Sequence, residues 1–400
     1  MSSRPKLIAA AGIVAMSAAV AGPAAGAVCE VGAWAAPGAV RPIDHSAIIS
    51  VAATAPVVLL GETHDNVDHH RWQLGVLAGL IGQREDLVLG LEAFPRRVQP
   101  VLDRWVEGDL TEGAFLNEVD WWQNWGFNPD LYLPILHFAR LHRVPLVALN
   151  VDRSLVARVG DEGWEAIPRS ERSGIGDPAA PSDAYVENLA ASFAAHLQMR
   201  AGDASQTTAS LADVRQQAGF ARFVQAQLTW DRAMAEAIAE ARSRPASPLV
   251  VGIIGSGHLQ DRHGVPAQLA DLGIEDAMVL LPADGTAACE RLDDETADAV
   301  FVLDDGREVA AQKPRLGVML AANGSSLQVA DVVGGSVAAA AGLQPGDVIV
   351  AAAGRPIATI ADLQAAIGSA GGVLPIEIVR GDRTLTVMAE FAADADQASS

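Results

Sequence analysis

Lysine is nearly absent from this chain. Lys6 and Lys313 are the only two among 400 residues, and the arginines that supply the rest of the basic set are scattered and form no stripe. We read this as compositional bias, not as function. Positive charge is scarce as a whole: 28 Lys and Arg stand against 49 Asp and Glu, for a formal net charge of −21. That balance excludes non-specific binding to nucleic acid or to anionic lipid. Long apolar runs are missing beyond the N-terminal 27 residues, so no transmembrane span is expected. Familiar catalytic motifs are missing too. There is no G-x-S-x-G elbow and no G-D-S-G-G-like stretch, and "IGSGH" puts Ser256 beside Gly257 without the elbow's spacing. Serine-protease chemistry is therefore set aside. No H-E-x-x-H zinc signature occurs either.

What is present begins with an export signal. Arg4 and Lys6 precede "LIAAAGIVAMSAAVAG", a run short for a membrane span, and "AAGA" at 24–27 ends in the small-x-small pattern of a signal-peptidase site. Residues 1–27 are expected to be cleaved near Ala27, delivering the protein to the periplasm or the extracellular space. Cys29 invites a lipoprotein reading, but "GAVC" has Gly26 where a lipobox wants an aliphatic residue and Val28 where it wants a small one. In an oxidising compartment the only two cysteines, Cys29 and Cys289, are expected to pair, with two free thiols as the alternative.

Half of the residues are hydrophobic, enough for packed domains, and 400 residues suggest two or three of them. Four continuous apolar runs read as strands buried on both faces of a parallel sheet: "PVVLLGE" (56–62), "DLVLGLEAF" (86–94), "VPLVALN" (144–150) and "SPLVVGIIGSGH" (247–258). Helical patterns at 69–83, 129–143 and 220–243 lie between them, and 165–210 reads as an excursion carrying one helix. The alternation predicts an α/β fold with a mostly parallel sheet core. The composition changes near 284–313, and 392–400 reads as a disordered tail.

In such sheets function gathers at the C-terminal strand ends. Four strands deliver Glu62, His64, Glu92, Asn150 and His258 toward one edge, and two of these sites share the form G-x-x-H, Gly61 to His64 and Gly255 to His258. Two imidazoles with one or two carboxylates suffice for a divalent metal, or for acid–base work without one. Glu62, His64, Glu92 and His258 are expected in one pocket. His69 and His70 open the next helix and point about 100° apart, so one of them at most joins; His70, sharing a face with Gln73, is the expected one. Asp65 or Asn66 as a helix N-cap is the plainer reading of the stretch.

Residues 314–391 resemble a PDZ domain of the bacterial protease-associated type, carried by "PRLGVML", "AAGLQPGDVIVAAAGRPI" and "LPIEIVRGDRTLTV". The resemblance implies a small module of β-strands and short helices. Its residues Leu316, Gly317, Val318 and Met319 would edge a groove that binds a peptide or protein C-terminus by strand addition.

The larger region resembles the ChaN family of iron-regulated, haem-binding exported proteins, within a superfamily that includes Tiki-type metalloproteases and erythromycin esterases. The matching stretches include "LLGETHDNVDHHRWQ", "LGLEAF", "WWQNWGFNPDLYLPILHFAR", "FVQAQLTWDRAMA" and "VVGIIGSGHLQDRHGVP", in family order. Many relatives are lipoproteins, and this chain departs from them in its lipobox. The resemblance implies an α/β core with a helical cap at 28–304, a linker at 305–313 and the PDZ module after it. It also implies two alternative functions. One is haem or iron binding for uptake: non-covalent, since no C-x-x-C-H exists, with Trp121, Trp122, Trp125, Phe127, Tyr132 and Phe138 as aromatic surface. Tyr132, His196 or His70 would be donors and Trp125 a wall. The other is a metal-dependent hydrolase, peptidase or esterase. There Glu62 would be general base on a water near His64 and His258, and Glu92 a ligand or orienter. A homodimer is left open.

Overall fold

The computed structural model describes residues 29–36, 39, 41–201, 211–217, 219–245, 247–290, 295–305, 316–323, 326–368, 370 and 372–391. The expected signal peptide, the linker from 306 and the C-terminal tail lie outside the described residues. Spatial contacts divide the chain into two compact units. One comprises Met1–Thr111 with Pro129–Glu308, the other Glu112–Asn128 with Val309–Ser400. No described helix is long and apolar enough to cross a membrane.

The first unit is built on a seven-stranded sheet. Its strands are β1 (Trp34–Ala35), β2 (Val57–Glu62), β3 (Leu87–Pro95), β4 (Leu146–Asn150), β5 (Leu249–Gly255), β6 (Met278–Asp284) and β7 (Ala299–Leu303), in the order β1-β7-β6-β2-β5-β3-β4. Every pairing is parallel except β1 with β7. The four expected strands all form, and every residue of β2, β3 and β5 is buried. Strands covered on both faces must be apolar throughout, so they read as unbroken runs. β1, β6 and β7 are the strands the runs did not announce, and β6 and β7 fall partly within the 284–313 composition change.

Helices α1 (His45–Ala52), α2 (Val67–Ile81) and α3 (Gln99–Glu107) belong to this unit. In the other unit, α4 (Glu112–Glu118) and α5 (Trp121–Asn124) follow. The chain then returns to the first unit with α6 (Leu133–His142), α7 (Arg153–Glu162), α8 (Asp183–Ala201), α9 (Leu211–Arg215), α10 (Phe220–Arg242), α11 (Val265–Asp271) and α12 (Thr286–Cys289). Asn66 caps α2 by accepting the Asp68 amide at 3.0 Å, which satisfies one of the orphan donors of the first turn. Inward residues of α10, among them Met234, Ala235 and Ile238, pack with Val57, Leu59, Val250 and Ile254 in one core. The two cysteines form a disulfide, with Cα atoms 5.8 Å apart, that joins the N-terminal segment to α12.

In the second unit, β8 (Val318–Asn323), β9 (Ser326–Val332), β10 (Val348–Ala352), β12 (Val373–Arg380) and β13 (Arg383–Glu390) form an antiparallel sheet in the order β13-β12-β10-β9-β8. The short β11 (Arg355–Pro356) pairs with β10, and helices α13 (Val337–Ala340) and α14 (Ile360–Gly368) accompany the sheet. Leu327, Ile349, Leu363, Ile367, Ile376 and Ile378 lie in its core. β8 is an edge strand, and Gly317 just before it has φ +80°, a conformation open to glycine at no steric cost. A Cβ there would lie 2.3 Å from the Ser336 Cβ.

Candidate functional site

The strand ends of β2, β3 and β5 carry the polar cluster. Glu62 is the last residue of β2 and pairs in register with Gly255, the last of β5. Its carboxylate is buried and holds four partners. His64 Nδ1 lies 2.8 Å from Oε1, Gln73 Nε2 donates to Oε2 at 3.0 Å, and His70 Nδ1 lies 3.4 Å from Oε2. The Tyr132 hydroxyl also donates to Oε1. Burial by itself would raise the carboxyl pKa. The pull of His70 and the hydrogen bonds of His64 and Tyr132 outweigh it and hold Glu62 at about 2.

The neighbouring histidines divide as their helix geometry requires. His70 faces the cluster: Nε2 lies 3.1 Å from the His64 carbonyl and Nδ1 3.2 Å from Gln73 Oε1. Because Gln73 Nε2 points at the Gly61 carbonyl and at Glu62, its oxygen accepts, so both His70 nitrogens face acceptors. His69 turns away. Its Nδ1 accepts the Thr63 amide at 2.8 Å and its Nε2 meets Asp284 on β6 at 2.8 Å. Burial lowers its pKa against the pull of Asp284, consistent with a neutral ring.

A second line runs from β5. His258 follows in a short 3-10 turn and its Nδ1 lies 2.6 Å from Asp231 Oδ1, on α10. Asp231 is fully buried and its other oxygen accepts the Tyr185 hydroxyl at 2.8 Å. Burial opposes protonation of His258, but Asp231 and Glu92 prevail and raise it to about 9. Burial likewise opposes, and Glu62 and Glu92 overcome, in raising His64 above the ordinary 6.5. Glu92 sits where the lines meet. Its Oε2 accepts the Gly255 amide at 2.7 Å and its Oε1 lies 3.8 Å from His258 Nε2. A Cβ on Gly255 would stand 2.8 Å from His64 Cε1 and 3.4 Å from Glu92 Oε2, so glycine lets these side chains close over the strand end. Asn150 lies alongside, its amide donating to the Glu92 carbonyl at 3.3 Å.

Glu62, His64, Glu92 and His258 thus meet at one sheet edge, but as separate ion pairs. Among the described residues no three or more His, Cys, Asp or Glu side chains are grouped to hold a metal ion. This corrects the expected divalent-metal set. His258 Nδ1 is engaged by Asp231, and the carboxylates are engaged by His, Tyr and backbone donors. Glu62, expected as general base, is buried with its carboxyl held at about 2 by its partners.

Other expected residues fall elsewhere. Tyr132, expected as an axial donor, donates its hydroxyl to Glu62. The His196 side chain lies outside the described residues. Trp125 is buried in the second unit, its ring 5.3 Å from Phe127, and Trp121 there donates to the Phe127 carbonyl at 2.7 Å. The aromatic stretch is therefore divided between the units. Leu316 is buried, its carbonyl accepting from Ala338 at 2.7 Å, and Met319 is exposed on β8. Asp231, Tyr185 and Asp284 were not anticipated. The signal for Asp231 was an acid on the apolar face of a long helix, and for Tyr185 the rarity of tyrosine, which occurs twice.

The family model described as haem-binding uptake, Tiki superfamily, ChaN matches residues 48–269, more than half of the chain. The chain belongs to this ChaN-like haem-binding family. A PDZ-domain model matches residues 328–380. The solved structure of ChaN of Campylobacter jejuni, described as cofacial haem binding, aligns with a TM-score of 0.50 and 18% identity, covering 65% of this chain and 92% of that one. At that identity the likeness is one of fold. The PDZ domain of HtrA3 with a phage-derived ligand (23% identity, 20% of this chain and 84% of that one) and the HtrA-type protease AlgW with a decapeptide (22%, 22% and 30%) both align at a TM-score of 0.19, and no argument rests on them. No curated protein matches.

The first unit also carries an apolar groove. Of about 1020 Å³ and lined by Leu74, Val106, Pro134, Phe138 and Leu141 among others, it lies between α2, the end of α3 and α6. It is of ligand-site size, for which about 300–1,000 Å³ is usual. His70 and Gln73 precede Leu74 on α2 and Tyr132 precedes Pro134 at α6, so Glu62 ties together the two helices that form its walls.

Proposed function

We propose that this chain is an exported haem- or iron-binding protein of the uptake kind, whose PDZ module captures the C-terminus of a partner peptide or protein. The observation that carries the reading is family membership across residues 48–269, and the apolar groove is consistent with it. The strand-end cluster then works as a frame. Glu62 pins α2 and α6 through His70, Gln73 and Tyr132, and Asp231 pins α10 to the turn of His258. When bound, haem would supply the redox and iron chemistry, and the chain would supply the slot. Export rests on the N-terminal signal pattern, and capture by the PDZ module on the edge position of β8 and the turn at Gly317.

No observation favours metal-dependent hydrolysis. One experiment separates the two readings: an absorption spectrum of the purified chain with haem added, beside metal analysis of the protein as isolated. A saturable Soret band at one haem per chain is expected, with no stoichiometric divalent metal. No haem uptake together with one tightly held zinc or manganese would defeat the proposal.

A further inference from the structure

We propose that two copies of this chain associate through β13, strand against strand, so that the sheet of the second unit continues across a two-fold axis. The contact is independent of haem and lies on the edge of the module opposite β8.

The two sheets have four edges. A strand edge shows a row of unpaired N–H and C=O groups, and native chains shorten, bulge, charge or cover it. Three of the four are managed in such ways. β1 is two residues long, and Ile43 bridges its far side by donating to the Trp34 carbonyl at 2.7 Å. β4 is closed by one side chain. Gln99 accepts the Ala148 amide at 2.9 Å and donates to the Leu146 carbonyl at 2.8 Å, as a neighbouring strand would. β8 shifts register between Met319 and Leu320, and it is the edge that peptide capture would use.

β13 is left open. Its residues all pair with β12 without a register shift, from Arg383 opposite Arg380 to Glu390 opposite Val373. The two-residue turn at Gly381 and Asp382, with Gly381 at φ +64°, makes Arg380 and Arg383 a hydrogen-bonded pair. Alternation then turns the N–H and C=O groups of Leu385, Val387 and Ala389 toward β12. Those of Thr384, Thr386, Met388 and Glu390 point to the outer edge. Among the described residues nothing donates to or accepts from these outward backbone groups. The side chains of Leu385 and Val387 pack against the module's core, while Met388 and the neighbouring Val373 are exposed apolar residues beside the open edge.

The strand is complementary to itself. Laid antiparallel on a copy, with Val387 of each at the axis, Thr384 meets Glu390 of the second copy and Thr386 meets Met388. Every outward backbone group of both strands then finds a partner. Leu385 comes opposite Ala389, which continues the apolar layer of the core face. Charge selects the same arrangement. β13, "RTLTVMAE", is charged only at its ends, positive at Arg383 and negative at Glu390. Antiparallel pairing brings each basic end beside an acidic one, whereas a parallel partner would set like ends together. This local neutrality matters in a chain of net charge −21, most of whose surface repels a copy. Because β8 is the opposite edge of the same sheet, both peptide edges stay open in the dimer.

The test is sedimentation equilibrium of the full mature chain over a range of concentrations, for the unaltered protein and its variants. A reversible dimer is expected. Thr386→Pro removes an outward N–H and no ladder bond, and should weaken the dimer by about ten-fold or more. Thr386→Lys keeps the backbone donor and charges the edge, and should weaken it in the same direction without the conformational demand of proline. Val387→Cys falls on the axis as a non-hydrogen-bonded pair, with Cα atoms about 4.5 Å apart, and should give a covalent dimer on oxidation. Thr384→Cys, off the axis, should not. A monomer at every concentration would overturn the proposal. So would a dimer that both Thr386 variants leave unchanged and that Val387→Cys does not cross-link, because the interface would then lie elsewhere. Cross-linking at Thr384→Cys in place of Val387→Cys would overturn the register and the pairing argued from it.

Discussion

Tyr132 and Tyr185, the only tyrosines in the chain, do the same thing at two places. Each donates its hydroxyl proton to a buried carboxylate that also holds the histidine of a G-x-x-H stretch: Tyr132 to Glu62 with His64, and Tyr185 to Asp231 with His258. The Tyr132 hydrogen bond helps hold the Glu62 carboxyl low, and Glu62 and Asp231 each raise the pKa of the histidine they hold. Glu92 lies where the two lines come together.

The His258–Asp231 pair makes stability depend on alkaline pH. His258 is raised from 6.5 to about 9 in the folded chain. Its contribution is full below about 6.5, declines as the unfolded chain loses its proton first, and is gone above about 9. Urea midpoints measured from pH 6 to 10 should fall across that window. In Asp231→Asn the fall should flatten, with a loss at pH 6 of about 1–3 kcal/mol from weakening a buried charged hydrogen bond. An equal slope in both proteins would show that His258 is not raised.

Glu62 acts on the acid side with the opposite sign. Its folded pKa is depressed from 4.5 to about 2, so its contribution is full above about 4.5 and is lost as pH falls toward 2. Glu62→Gln should cost about 1–3 kcal/mol at pH 7, because it weakens the buried hydrogen bonds from His64, Gln73 and Tyr132, and should reduce the acid-limb slope. Tyr132→Phe removes one donor and should cost about 1–3 kcal/mol. Denaturation at pH 7 and pH 3 checks both.

The disulfide closes a loop of 260 residues. Reduction, or Cys29→Ser, should destabilise the first unit by about 5–6 kcal/mol in the chain-entropy model, less any strain. Thiol titration of the unfolded, unreduced chain should find no reactive thiol. The intact mass of the exported protein should begin at Val28, and a mass that retains the first 27 residues would contradict the expected cleavage.

Gly317 tests the PDZ module. Its φ of +80° and the 2.3 Å approach that a Cβ would make to Ser336 leave no room for a side chain. Gly317→Ala should destabilise the module by about 1–3 kcal/mol and abolish capture of C-terminal peptides, read by fluorescence polarisation of the full chain with a labelled peptide library. Peptide binding at full strength in this variant would place the peptide elsewhere.

Much of this was written locally. Unbroken apolar runs at 57–62, 87–95, 146–150 and 249–255 determined a sheet buried on both faces, and with it the delivery of Glu62, Glu92 and the G-x-x-H histidines to one edge. Helical geometry by itself separated His70 from His69. Only the tertiary structure decided what those residues are bonded to. Asp231 meets His258 across 27 positions, Tyr185 meets Asp231 across 46, and Tyr132 meets Glu62 across 70. No spacing rule reaches that far, because such pairs are set by how α8, α10 and α6 pack on the sheet. The same packing turned an expected metal set into separate ion pairs. It also placed His137, Arg140 and Leu141, unremarkable in the sequence, along one wall of a groove that exists only once α2, α3 and α6 come together.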